Sequence, residues 1–130
     1  MIGNSFLLDT NIVIDVMKHN VDVANKVDVL KDYCISCVVL GELFTGVYRV
    51  LDRQKHLDKL NNFLKNCNVL NVDSVTGKIY GELYAALLNK GKPIPINDVW
   101  IAASAKQHGL TLITKDKHFA EIEGLDVEFW

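Results

Sequence analysis

The chain has 130 residues, 49% hydrophobic and 23% charged, which fits one domain with a sizeable core and excludes disordered and fibrous classes. No apolar run reaches the roughly 18 residues of a membrane span, and no basic-then-apolar leader opens the sequence, so a soluble, cytoplasmic protein is expected. The net charge of −2 argues against a broad basic DNA-binding face.

Phe6-Leu7-Leu8 predicts a short buried strand, and residues 11–18 a helix capped by Thr10 or Asn11. Residues 23–31 read as a second short helix, leading to a strand over 33–38. In that strand Cys34 and Cys37, three apart, point to opposite faces. With Cys67 they make an odd count and leave no second pair to complete a zinc site. They read as bland thiols of a reducing compartment.

Leu40, Leu43, Phe44, Val47, Tyr48 and Leu51 follow helical spacing, and Leu57, Leu60, Phe63 and Leu64 repeat it, predicting two consecutive helices. Residues 69–72 predict a strand, and Ser74 a cap for a helix running to about Asn89. Both prolines fall in 91–96, which must be extended. Asn97 then caps an apolar helix through His108, and Gly109 ends it. Residues 110–114 predict a strand, 117–122 a helical turn and 125–129 a final strand. Strands alternating with helices imply a single α/β domain over 1–130 built on a parallel sheet.

Sixteen acids invite arbitrary grouping, so position must select among them. In an open parallel sheet, ligands bind outside the carboxyl ends of the strands, near the point where strand order reverses. Asp9 and Asp116 directly follow predicted strands. Glu42 falls in the first turn of a helix that leaves the same edge. Asp98 does too, because its helix ends in the His108-Gly109 turn that feeds the next strand from the opposite edge. Asp15 and Glu82 lie one or two turns deeper, and Asp73 follows a strand at the sheet margin.

Taken singly, each of the four is an ordinary turn former or a partner of a helix dipole. Together they crowd negative charge into one crevice, at a cost of several kcal/mol unless neutralised. Lys115 is the one nearby cation, and its side chain should point away from those of its neighbours. A hard cation with oxygen ligands fits instead: Mg²⁺, with Mn²⁺ as a substitute, rather than Ca²⁺, for which there is no EF-hand loop. Four acids so used leave twelve against fourteen Lys and Arg, keeping nucleic acid open as a local partner. His19, His56, His108 and His118 show no metal-ligand spacing and read as structural or surface residues, with His118 close enough to touch substrate.

The stretches "LLDTN" at 7–11, "GELFTG" at 41–46, "NDVWIAASA" at 97–105 and "LITKDKHF" at 112–119 carry a resemblance over essentially the whole chain. In order and spacing the sequence resembles the PIN-domain nucleases, and within them the VapC-like toxins of toxin–antitoxin pairs. The resemblance implies a three-layer PIN-like fold whose central parallel sheet has about five strands. It implies that Asp9, Glu42, Asp98 and Asp116 hold Mg²⁺, with Asp9 and Asp98 foremost in direct ligation. Thr10, Asn11 and Thr114 support them. The implied activity is endonucleolytic hydrolysis of RNA that inhibits translation and growth when the protein is free of a VapB-like antitoxin. A homodimer, and a larger assembly with the antitoxin seated on the helices of residues 40–64, are implied as well. Trp100 replaces a more usual small aliphatic residue, which should reshape the pocket rim.

Arg49, Arg53, Lys55 and Lys59 on exposed helix faces, and Lys90, Lys92, Lys115 and Lys117 on loops, are candidate RNA contacts. Two alternatives remain at this stage. One is a PIN-like RNA-binding module with little catalysis. The other is an aspartyl phosphotransferase, which normally needs an Asp two positions after the first, where this chain has Asn11.

Overall fold

The computed structural model describes residues 5–130. Five parallel strands, β1 (Phe6–Leu8), β2 (Tyr33–Ser36), β3 (Asn68–Leu70), β4 (Thr111–Thr114) and β5 (Val127–Phe129), form one sheet in the order β3-β2-β1-β4-β5. Six α-helices join them: α1 (Thr10–Met17), α2 (Val21–Leu30), α3 (Cys37–Tyr48), α4 (Arg53–Leu64), α5 (Ser74–Asn89) and α6 (Ile96–His108). A 3-10 turn, Lys117–Glu121, follows β4.

The chain leaves β1 towards β2 and β3, then returns to pair β4 on the other side of β1. Right-handed crossovers therefore put α1 to α4 on one face of the sheet and α5 with α6 on the other, giving three layers. The reversal of direction lies between β1 and β4. These strands are apolar because both faces are covered: Leu7, Leu8, Leu112 and Ile113 are fully buried. Each such side chain contributes about 1.5–3 kcal/mol of burial.

Several boundaries move from their sequence-based positions, most of them because a polar side chain captures the first free N–H groups of a helix. Asp9, not Thr10 or Asn11, caps α1, its carboxylate accepting from Thr10 N. The β2 strand stops at Ser36, whose hydroxyl accepts from Val38 N, so Cys37 opens α3 instead of lying in a strand with Cys34. Glu42 consequently sits in the second turn of α3, not the first. Asp73 caps α5 in a capping box with Thr76, displacing Ser74 from that role. Pro95 precedes α6 in extended conformation and its carbonyl accepts from Asp98 N and Val99 N, which makes Asn97 an interior first-turn residue. Gly109 ends α6 in the left-handed region (φ 64°), as expected.

The helix α6 is buried nearly all round, with Val99, Ile101, Ala102, Ala103 and Ala105 inaccessible. Its small residues let it lie close between α5 and the sheet. Trp100 does not line the pocket rim; it stacks on Tyr80 of α5 with ring centroids 4.0 Å apart. All three cysteines are free, and burial pushes the Cys34 and Cys67 thiols up to about 12, which keeps them protonated and inert.

Candidate metal centre

Asp9 has two backbone duties that fix its side chain. Its N–H donates to Ile113 O (3.0 Å), extending the β1–β4 ladder by one rung, and its carbonyl accepts from Ile12 N and Val13 N at the start of α1. The carboxylate is thus held at the carboxyl edge of the sheet, where strand order reverses. It is only 3% exposed. Thr114 Oγ1, fully buried at the end of β4, donates to Asp9 Oδ2 (2.7 Å), and Asn11 Nδ2 lies 3.3 Å from the same oxygen.

Thr114 also accepts from Asp116 N (3.0 Å), and Asn11 Nδ2 also donates to Asp116 Oδ2 (3.2 Å). One hydroxyl and one amide therefore tie the first acid to the last. Asn11 Oδ1 accepts from Lys115 N (3.3 Å), fixing which way the amide faces. Thr10 Oγ1 donates to Glu42 Oε1 (2.6 Å), bringing α3 to the same edge. Asp98 arrives from the first turn of α6, where its charge complements the helix dipole. Its Oδ2 lies 2.7 Å from His118 Nε2.

Asp9, Glu42, Asp98 and Asp116, from four different connections, line one open cleft of about 540 Å³ together with Thr10, Asn11 and the residues 95–97. No Lys or Arg is among its lining residues. The carboxyl of Asp9 is raised above its ordinary value by burial, against the hydrogen bonds from Thr114 and Thr10, with the charges of Asp116 and Glu42 adding to the rise. Asp98 is raised to about 6, first by burial and then by the charge of Asp9, with His118 opposing. The cleft therefore carries uncompensated negative charge, the condition that a cation relieves. Asp98, Asp116 and His118 each offer a ligand atom within 4.8 Å of the others, so the donor set fits a divalent ion.

Of the candidate RNA contacts, Lys115 pairs with Asp15 on α1 and does not neutralise the four acids. Lys117 lies over the Phe129 ring, and Arg53 over Tyr48 while donating to Tyr48 O. Arg49 caps the end of α3, and Lys90 and Lys92 pair with Glu121. None of them lines the cleft; Lys59 lines an apolar cavity next to it. The residue that sequence reasoning left outside the centre is His118. The available signal was its position two residues after Asp116, which a 3-10 turn folds back over the strand end.

Thr114→Val keeps the shape but removes the hydroxyl that serves both Asp9 and Asp116. Leaving the Asp116 N–H and one Asp9 oxygen without that partner is expected to cost about 1–3 kcal/mol. A urea midpoint that falls accordingly at unchanged m-value checks this; an unchanged midpoint refutes the bridging role.

The acid cleft at the switch point of an all-parallel five-stranded sheet defines the class. The PIN domain family model matches residues 6–125, so the chain belongs to the PIN-domain family. The ribonuclease VapC2 of Rickettsia felis is 34% identical over 130 residues, spanning 96% of this chain and 97% of the relative. The tRNA(fMet)-specific endonuclease VapC of Shigella flexneri is 30% identical over 128 residues with the same coverage. Among solved structures, VapBC2 from Rickettsia felis bound to a promoter DNA fragment superposes with a TM-score of 0.92 at 32% identity, over 96% of this chain and 98% of that one. DNA-bound VapBC from Salmonella typhimurium gives 0.92 at 29% identity, over 98% of each chain. These likenesses set the chain among the VapC-like PIN proteins.

Proposed function

We propose that this chain is a metal-dependent endoribonuclease acting in the cytoplasm as the toxin of a VapBC-type pair, with Asp9, Glu42, Asp98 and Asp116 as its catalytic acids. The observation that carries the reading is the convergence of those four acids, from separate elements, on one cleft that no Lys or Arg lines. Asp98 and Asp116, whose ligand atoms lie within 4.8 Å of each other, would hold Mg²⁺ or Mn²⁺ directly, with Asp9, the foremost candidate beside Asp98 on sequence, and Glu42 completing the negative shell. When bound, the cation supplies Lewis acidity at the scissile phosphate and lowers the pKa of the attacking water. The chain's own part is preorganisation. Thr114 and Asn11 hold Asp9 and Asp116 in a fixed relation, and Thr10 holds Glu42. The cleft is open to solvent, as access for an RNA strand requires.

A VapB-like antitoxin is the proposed partner, together with self-association into a homodimer. Its support is an apolar cavity of about 240 Å³ walled by Ile14, Met17, Leu43 and Val47, which shares Ile14 and Glu42 with the acid cleft. An apolar antitoxin segment seated there would abut Glu42. Among the described residues no helix is long and apolar enough to cross a membrane.

RNA cleavage is expected to stop on chelation with EDTA and to return on adding Mg²⁺ or Mn²⁺; full activity in chelator would sink the metal mechanism. Mapping the 5′ ends of cellular RNA after brief induction, beside Asp98→Asn, identifies the target and separates this activity from background nucleases.

A further inference from the structure

We propose that His118 Nε2 is a nitrogen ligand of the same cation, and that it biases the centre towards Mn²⁺ over Mg²⁺. The inference rests on the reading that the acid cleft holds a divalent ion, and adds to it a residue and a metal preference.

Adjacent ligand atoms around a six-coordinate ion of this size lie about 3 Å apart, and opposite ones about 4.2 Å apart. His118 Nε2 and Asp98 Oδ2 are 2.7 Å apart, and Asp98, Asp116 and His118 each offer one ligand atom within 4.8 Å of the other two. Three donors, from α6, the segment after β4 and the 3-10 turn, are thus gathered closely enough for one ion to draw them together.

The His118 ring lies against Phe119 with centroids 4.8 Å apart, and the Phe119 side chain is fully buried. A ring pinned to a buried neighbour delivers its Nε2 to one place instead of sweeping through solvent. Mg²⁺ prefers oxygen donors and keeps much of its water, whereas imidazole suits later divalent ions. An all-carboxylate centre discriminates little between Mg²⁺ and Mn²⁺. One imidazole tilts it towards Mn²⁺.

The rival role for His118 is positioning alone, in which its N–H orients Asp98 and never meets the metal. The two roles separate in pulsed electron paramagnetic resonance of the full chain loaded with Mn²⁺. Direct ligation is expected to give a ¹⁴N modulation that His118→Gln removes. In equilibrium titrations the same substitution is expected to weaken Mn²⁺ binding about tenfold or more while changing Mg²⁺ binding less than about threefold. Bound Mn²⁺ without nitrogen coupling in the unsubstituted protein, or equal weakening for both ions, overturns the ligand role and leaves the cation reading of the cleft standing. Binding of neither ion by the unsubstituted protein overturns both. The spectrum of the unsubstituted protein does not depend on how well the variant folds.

Discussion

Asp98→Asn is expected to abolish RNA cleavage and yet to make the metal-free protein more stable near neutral pH. Loss of groups that merely orient metal ligands costs about 10- to 100-fold in activity, so loss of a ligand should exceed about 100-fold. The stability gain follows from the sign of the linkage. The carboxyl of Asp98 is raised to about 6, above its unfolded value near 3.8, because folding buries it beside Asp9. The folded state therefore binds the proton more tightly than the unfolded state does. Its stabilising effect is complete below about pH 4 and is lost as pH rises through about 6. Above that, the ionised group costs on the order of 2–3 kcal/mol. Asparagine removes the charge and most of that cost. In EDTA at about pH 7.5 the variant should melt several degrees higher than the parent, and the gap should close towards about pH 4. With a saturating divalent ion the order should shrink or reverse, because only the parent gains binding energy. A variant that is both inactive and unstable at every pH would mean that Asp98 is structural.

Phe119→Ala is expected to carry the largest stability loss, about 3–5 kcal/mol. The ring is fully buried, and it sits in the 3-10 turn whose first residues follow Asp116. Its N–H reaches back to the Asp116 carbonyl, and its ring supports that of His118. For a domain whose total stability is about 5–15 kcal/mol, such a loss populates unfolded chain at growth temperature. Phe119→Leu, which keeps most of the volume, should recover all but about 1.5 kcal/mol. Denaturant unfolding of both variants measures this directly. Cation affinity measured well below the melting transition should fall in the alanine variant and be largely restored in the leucine variant. A loss under about 1 kcal/mol for alanine would show that the turn does not depend on this ring.

The parallel α/β layout was legible because its strands are short, continuous apolar runs punctuated by turn residues, as in Phe6-Leu7-Leu8 and Leu112-Ile113. The meeting of Asp9, Glu42, Asp98 and Asp116 was legible for a different reason: the edge rule depends on connectivity, which needs no side-chain geometry. What escaped were matters of one or two residues. Ser36 and Asp73 outcompeted their neighbours for helix caps because their oxygens reached backbone N–H groups, and propensity alone does not rank adjacent candidates. The tie from Asn11 to Asp116 spans 105 residues, and so does that from Thr114 to Asp9. Such pairings depend on the β1–β4 register, which no local pattern encodes. His118 escaped because metal-ligand spacing is usually sought on helices and strands, and a 3-10 turn obeys neither period.

That long tie has a consequence for the cell that makes the protein. Strand β4 supplies Thr114 and leads to Asp116, and it is synthesised more than a hundred residues after β1. Until β4 has emerged and zipped against β1 in register, Asp9 has neither its hydroxyl partner nor its fellow acid, and the cleft does not exist. A nascent chain in which β4 is still unmade has no assembled acid cleft. A slip of one residue in that pairing would turn the Thr114 side chain to the other face of the sheet and take its hydroxyl away from Asp9. The assembled acid cleft is thereby confined to chains that have finished folding with β4 in register against β1.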